Sequence, residues 1–149
     1  MYEIRKAKIS DLETISTFQV KMAFETEMLQ LDTDVVRQGV THLFNHPEKG
    51  YYLVANTDQR IVASSLILYE WSDWRNSTVL WIHSVYVVPA FRKQGIFTAI
   101  YSFVKKNVLA DSGYAGIRLY VDKRNSAACE VYRRLGMDDE HYRLFEWLK

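Results

Sequence analysis

Apolar positions alternate with polar ones along some stretches of this chain and recur every three to four residues along others, and the two periods divide it into strands and helices. Tyr2 to Arg5 reads as a short strand. Ser10-Asp11-Leu12-Glu13 has capping-box spacing, with Ser10 accepting from the third helical N–H and Glu13 reaching back. Leu12, Ile15, Phe18 and Met22 then keep one helical face. The phase shifts near Phe24, so this helix should end or bend around Glu25 to Met28. A second helix is predicted from about Asp34 to Asn45, stopped by Pro47 and Gly50.

Strands follow. Tyr51 to Ala55 and Ile61 to Glu70 flank a hairpin turn at Asn56-Thr57-Asp58-Gln59-Arg60. A polar loop from Trp71 to Ser77, also carrying Trp74, leads into a long strand from Thr78 to Val88 that Pro89 closes. Ile96, Ile100, Phe103, Val104 and Val108 stand at helical spacing, and that helix should end by Gly113. Ile117 to Val121 reads as a strand, Asn125 to Leu135 as a helix ended by Gly136, and Tyr142 to Leu148 as a last strand. The order β-α-α-β-β-β-α-β-α-β joins an antiparallel meander to a βαβ crossover. It predicts an α/β fold with a mixed, mostly antiparallel central sheet flanked by helices. With no repeat, low-complexity tract or Pro/Gly/Ser linker, residues 1–149 read as a single domain.

Composition narrows the function classes. The 149 residues are 48% apolar and 25% charged, ordinary for one globular domain. Nineteen Lys and Arg against eighteen Asp and Glu give a formal charge of +1, too balanced for a general nucleic-acid binder. The single cysteine, Cys129, excludes an intramolecular disulfide and suits a reducing compartment. No apolar run approaches the roughly 18 to 20 residues that cross a bilayer, and the acidic Glu3 precedes no signal-type run. A cytoplasmic protein with no membrane partner is expected. No His/Cys/Asp cluster has metal-ligand spacing, so no metal is expected.

The chemistry concentrates in Ser84-Val85-Tyr86-Val87-Val88-Pro89-Ala90-Phe91-Arg92-Lys93-Gln94-Gly95-Ile96-Phe97, a strand, a basic turn and a helix start. Such a turn exposes successive backbone N–H groups at the positive end of a helix dipole, where phosphate oxygens bind. Gly95 permits close approach, and Arg92 and Lys93 add countercharge. The same residues also suit an ordinary strand-turn-helix with a solvated basic turn. Neither three dinucleotide-fingerprint glycines nor a Gly-Lys-Ser/Thr loop is present. Downstream, Asn125-Ser126-Ala127-Ala128-Cys129-Glu130-Val131-Tyr132-Arg133-Arg134-Leu135-Gly136-Met137 places Asn125 and Tyr132 within roughly 20° of each other on one helix face.

The first stretch resembles the pyrophosphate-binding motif of GNAT acetyltransferases, Gln/Arg-x-x-Gly-x-Gly/Ala, with Arg92 and Gly95 on two anchors and Phe97 in place of the third. The second resembles the same superfamily's Asn-x-x-Ala, Tyr, Gly-Phe pattern, with Met137 for the Phe. The resemblance covers essentially the whole chain. It implies a GNAT-type sheet and an N-acetyltransferase moving the acetyl group of acetyl-CoA directly onto a primary amine of a small molecule or peptide. A CoA-binding sensor or scaffold without catalysis is the other reading, favoured by Phe97 and by Trp81 standing where some relatives carry a Glu base. The resemblance also admits a homodimer.

Carried over residue by residue, it implies that Val85 and Val87 offer backbone groups to the pantetheine arm. Arg92, Lys93, Gln94, Gly95, Ile96, Phe97, Thr98 and Asn125 would complete the cofactor site, and the general acid falls on Tyr132. Strand alternation puts Trp81 and His83 on the face of Val85 and Val87, which makes His83 a candidate base, although a lone His in an apolar strand is commonly structural. Glu70, ending its strand beside Trp71 and Trp74, competes for that role. Glu25 and Glu27 lie where relatives shape the acceptor site. Glu27, Glu70 and Trp74 together could hold a cationic amine by ion pairing and cation–π contact, or could be surface charges and a packed aromatic.

Overall fold

The meander pairs as its alternation predicts. In the computed structural model, which describes residues 2–58 and 60–149, strand β1 (Glu3–Lys6) lies antiparallel to β2 (Gly50–Asn56), β2 to β3 (Ile61–Ser72), and β3 to β4 (Ser77–Val87). Strand β5 (Tyr114–Arg118) returns parallel to β4, giving the sheet order β1-β2-β3-β4-β5. Gln59, within the predicted hairpin turn, lies outside the described residues. Helices α1 (Leu12–Glu27) and α2 (Thr33–Asn45) follow β1, α3 (Ile96–Ala110) bridges β4 and β5, and α4 (Ser126–Arg134) follows β5. The chain forms two compact units, Met1–Arg118 and Leu119–Lys149.

In the first unit, Leu12 and Ile15 of α1 and Val40 and Leu43 of α2 pack on Tyr52 and Val54 of the sheet. The opposite face presents Leu53, Ala55, Ala63, Ile67, Leu80 and Ile82, all buried, and α3 contributes buried Ile96, Ile100, Tyr101 and Val104. At about 25 cal/mol per Å² of apolar area removed from water, these two layers supply the main drive to fold.

Four expectations are corrected. Ser10 does not cap α1: it is exposed inside a 3₁₀ turn (Ile9–Asp11). Asp11 does the local work, accepting from the Lys8 N–H at 2.7 Å and from Arg5 at 2.7 and 3.1 Å, because a guanidinium on adjacent β1 is a stronger partner than a neutral amide. The fifth strand is Tyr114–Arg118, not Ile117–Val121, since the Thr78 N–H and the Ser77 hydroxyl both bond the Gly113 carbonyl and fix its start. Residues 142–148 form no strand, and Tyr142, Leu144, Phe145, Trp147 and Leu148 are exposed. Alternation gives a strand tendency, but a strand exists only where a neighbour bonds its backbone. The fourth correction concerns the faces of β4.

Candidate active site

Strand β4 is bulged. Leu66 faces His83 and Ser64 faces Tyr86, so one residue of β3 spans two of β4, Ser84 and Val85. Ser84 adopts φ 49°, and the Ser65 hydroxyl bonds the His83 carbonyl at 3.2 Å across the irregularity. Directly opposed residues share a face, so Trp81 and His83 lie with Tyr86, while Val87, opposite Ala63, joins the face of Ile67 and Ile82. Plain alternation had put His83 with Val85 and Val87; the extra residue reverses the phase. Strand β5 pairs with β4 only from Thr78 to Trp81, so β4 from Ile82 onward runs past the parallel partner.

After Val87 the chain makes a 3₁₀ turn (Pro89–Phe91) and two left-handed residues, Lys93 at φ 61° and Gly95 at φ 79°, before α3 starts at Ile96. Gly95 caps the helix without a side chain, and the first-turn amides have no acceptor within an α-helix. A Cβ built on Gly95 meets nothing within 4 Å, so the turn leaves open space where a ligand oxygen could approach. The Gln94 side chain braces the turn, its amide donating to the Ala90 carbonyl at 3.0 Å and its oxygen accepting from the Tyr2 hydroxyl. The Phe97 ring faces Tyr101, one turn along α3, with centroids 6.5 Å apart. Lys93 and Thr98 are exposed.

The Arg92 side chain turns back. Its Nε donates to the Val87 carbonyl at 2.9 Å, its Nη2 pairs with Glu25 at 2.5 Å, and its guanidinium lies 5.7 Å from the centre of the Tyr86 ring. The Tyr86 hydroxyl donates to the other Glu25 oxygen at 3.2 Å, and its ring packs on Phe18. Glu25, Tyr86 and Arg92 line a cleft of about 590 Å³ with Met22, Thr26, Val85 and Val87. The Arg92 hydrogen bond holds the Glu25 carboxyl below its usual range, and burial raises the Tyr86 phenol.

Further along β4, Trp81 stacks on His83 with centroids 5.7 Å apart. Glu70 accepts from the Trp81 indole at 2.9 Å and from Arg118 at 2.5 Å. Burial lowers the His83 pKa, leaving a neutral imidazole at pH 7. Glu70 sits six residues along β3 from Ser64, about 20 Å at strand rise, so it does not share the Glu25 cleft. Trp74 is exposed in the β3–β4 turn, and Glu27 is the exposed last residue of α1. The structure therefore groups Glu70 with Trp81, His83 and Arg118, and Val85, Val87 and Arg92 with Glu25; it does not build one cage from Glu27, Glu70 and Trp74.

In the second unit, the Asn125 side chain caps α4 by accepting from the Ala128 N–H at 3.1 Å. The helix ends in a Schellman motif, Met137 N–H to Tyr132 carbonyl and Gly136 N–H to Arg133 carbonyl, with Gly136 at φ 86°. Tyr132 is half-buried, and its phenol pKa is raised first by burial and then by the adjacent Cys129.

The family model described as the acetyltransferase (GNAT) family matches residues 10–137, a span that runs through both units. The chain belongs to the GNAT acetyltransferase family. Among solved structures it is similar to a possible acetyltransferase from Clostridium difficile 630, at 40% identity and a TM-score of 0.91 over 100% of this chain and 98% of that one. An aminoglycoside N-acetyltransferase solved in complex with CoA shares the fold at 14% identity, with a TM-score of 0.79 over 100% of this chain and 95% of that one. Thialysine N-epsilon-acetyltransferase of Bos taurus is 32% identical over 79 residues, 53% of this chain and 45% of the bovine enzyme, so the match spans less than half of that relative. Among the described residues of this GNAT protein no helix is long and apolar enough to cross a membrane, and no cluster of three metal-ligating side chains occurs. Sequence reading placed Glu25 only in a region. Its pairing with Arg92 and Tyr86 crosses more than sixty residues, and the phase shift at Phe24 was the one local signal that this helix end leaves the core.

Proposed function

We propose that the protein is an N-acetyltransferase acting on a primary amine of a small molecule or peptide. The observation that carries the reading is the left-handed turn from Lys93 to Gly95, opening α3 beside the bulged end of β4 in a chain of the GNAT family. Open space at Gly95 suits a diphosphate oxygen, so the residues present fit CoA. Backbone amides of Gln94, Gly95, Ile96, Phe97 and Thr98, with Arg92 and Lys93 as countercharge, would hold the diphosphate. Val85 and Val87 would bond the pantetheine arm where β5 no longer covers β4.

Acetyl-CoA supplies an activated acyl carbon and a thiolate leaving group. An alkyl ammonium of pKa ~10.4 needs roughly 4.6 kcal/mol to lose its proton at pH 7. His83, neutral through burial, takes the ammonium proton, and the lone pair so freed lets the nitrogen bond the acyl carbon. Tyr132 gives a proton to sulfur as the carbon–sulfur bond breaks, and its phenolate takes back the second proton that the nitrogen sheds on becoming an amide. Glu70 acts as a positioning residue, holding the Trp81 indole against the His83 ring. A bovine relative named for acetylating the ε-amine of thialysine supports an aliphatic primary amine as acceptor. Incubation with acetyl-CoA and a panel of diamines, aminoglycosides, amino acids and peptides, read by mass spectrometry, tests this. Acetylated product is expected; CoA binding with no product from any amine would leave the sensor reading in its place.

A further inference from the structure

The Glu25–Arg92 pair puts two functions of the cleft in competition for one guanidinium. Arg92 belongs to the turn that opens α3, yet its Nε bonds the Val87 carbonyl and its Nη2 bonds Glu25. Resting on the acetyltransferase reading, we propose that Glu25 is the carboxylate that receives the cationic amine of the acceptor, and that Arg92 covers it until acetyl-CoA is bound.

Position supports the assignment. Glu25 lines the same cleft as Val85 and Val87, the strand end proposed for the pantetheine arm, so a cation held there lies beside the acyl channel. The carboxylate is ionised at neutral pH whether or not Arg92 is on it, and the Arg92 hydrogen bond lowers its pKa further. The Glu25 carboxylate already holds one cation, Arg92, so its surroundings accommodate a positive charge against it. Met22, Val85 and Val87 offer apolar wall to an aliphatic chain, and the Tyr86 hydroxyl stays on the second oxygen. A diphosphate carries more charge than one carboxylate and would lie against the turn that bears Arg92. Arg92 then exchanges both Glu25 and the Val87 carbonyl for phosphate oxygens. That exchange frees the carboxylate for the ammonium and the carbonyl for the pantetheine amide. The acceptor should therefore bind after the cofactor, and the two affinities should be coupled reciprocally.

Calorimetry on the whole chain tests this without turnover. CoA should bind Glu25→Gln roughly 2- to 10-fold tighter than the parent, because the amide no longer competes for Arg92. With 1,5-diaminopentane as a dicationic probe, saturating CoA should tighten binding to the parent at least about fivefold and leave Glu25→Gln unchanged. Arg92→Met should bind the diamine without CoA as well as the parent does with it, while its own affinity for CoA falls. Unchanged CoA affinity in Glu25→Gln, or no diamine binding to Arg92→Met, overturns the Glu25 assignment and leaves the acetyltransferase reading standing. No CoA binding to the parent protein overturns both.

Discussion

Replacing Gly95 by alanine separates cofactor binding from folding. Gly95 sits at φ 79°, and a Cβ there meets no atom within 4 Å. The cost to the fold is thus the left-handed strain of an L residue, about 1–2 kcal/mol, partly offset by a less flexible unfolded chain. For a chain of this length that lowers Tm by roughly 2–5 °C and leaves the transition cooperative. The added methyl, however, occupies the space proposed for a phosphate oxygen. Losing one charge-assisted hydrogen bond from a backbone amide costs about 1.5–3 kcal/mol, so the Kd for CoA should rise roughly 10- to 100-fold. Gly50→Ala is the contrast, because its Cβ would stand 2.0 Å from the Ile67 carbonyl oxygen on the paired strand. Two hydrogen-bonded backbones cannot part locally, so this variant should lose more than about 3 kcal/mol and fail to give a cooperative melt. Differential scanning fluorimetry and calorimetry with CoA on both variants supply the readouts. If Gly95→Ala melts as expected but binds CoA within about twofold of the parent, the diphosphate does not lie against this turn.

Other predictions follow from single groups. Tyr132→Phe should lower turnover by roughly 100-fold or more while CoA affinity stays within about twofold, measured by thiol release and calorimetry, since only the hydroxyl is lost. His83 is held neutral by burial, so the acidic fall of kcat/KM should lie below the ordinary imidazole range, and His83→Gln should abolish that limb along with most activity. The same depressed pKa means that the unfolded chain takes the proton first. Urea melts of the parent should therefore show stability declining as pH falls through that region, and the decline should flatten in His83→Gln. Asp11→Ala removes a buried carboxylate bonded to Arg5 and to the Lys8 N–H, and should cost about 2–4 kcal/mol in the same melts.

The order of elements and the family were legible because they rest on local signals. Period-two and period-3.6 apolar patterns reproduced β1 to β4 and the four helices to within a few residues, and the Arg92–Gly95 and Asn125–Gly136 motifs name backbone geometries that nearby residues impose. Gly95 and Gly136 do adopt the left-handed conformations that only glycine takes readily. What local pattern could not supply was pairing. The bulge at Ser84 depends on how many residues of β3 lie opposite β4, a property of two strands, and it moved His83 and Trp81 to the face of Tyr86. Tyr142 to Leu148 alternate as a strand would but adopt no strand conformation, and Ser10 loses its capping role to an Asp11–Arg5 pair set by the neighbouring β1. Sequence alone therefore determined the order of elements from β1 to α4, the left-handed glycine turn that opens α3 and the family. Only the tertiary structure decided which side chains meet: Glu25 with Arg92 and Tyr86, and Glu70 with Trp81 and Arg118. Those contacts join residues far apart along the chain, and their energies appear only once the backbone has closed the distance between them.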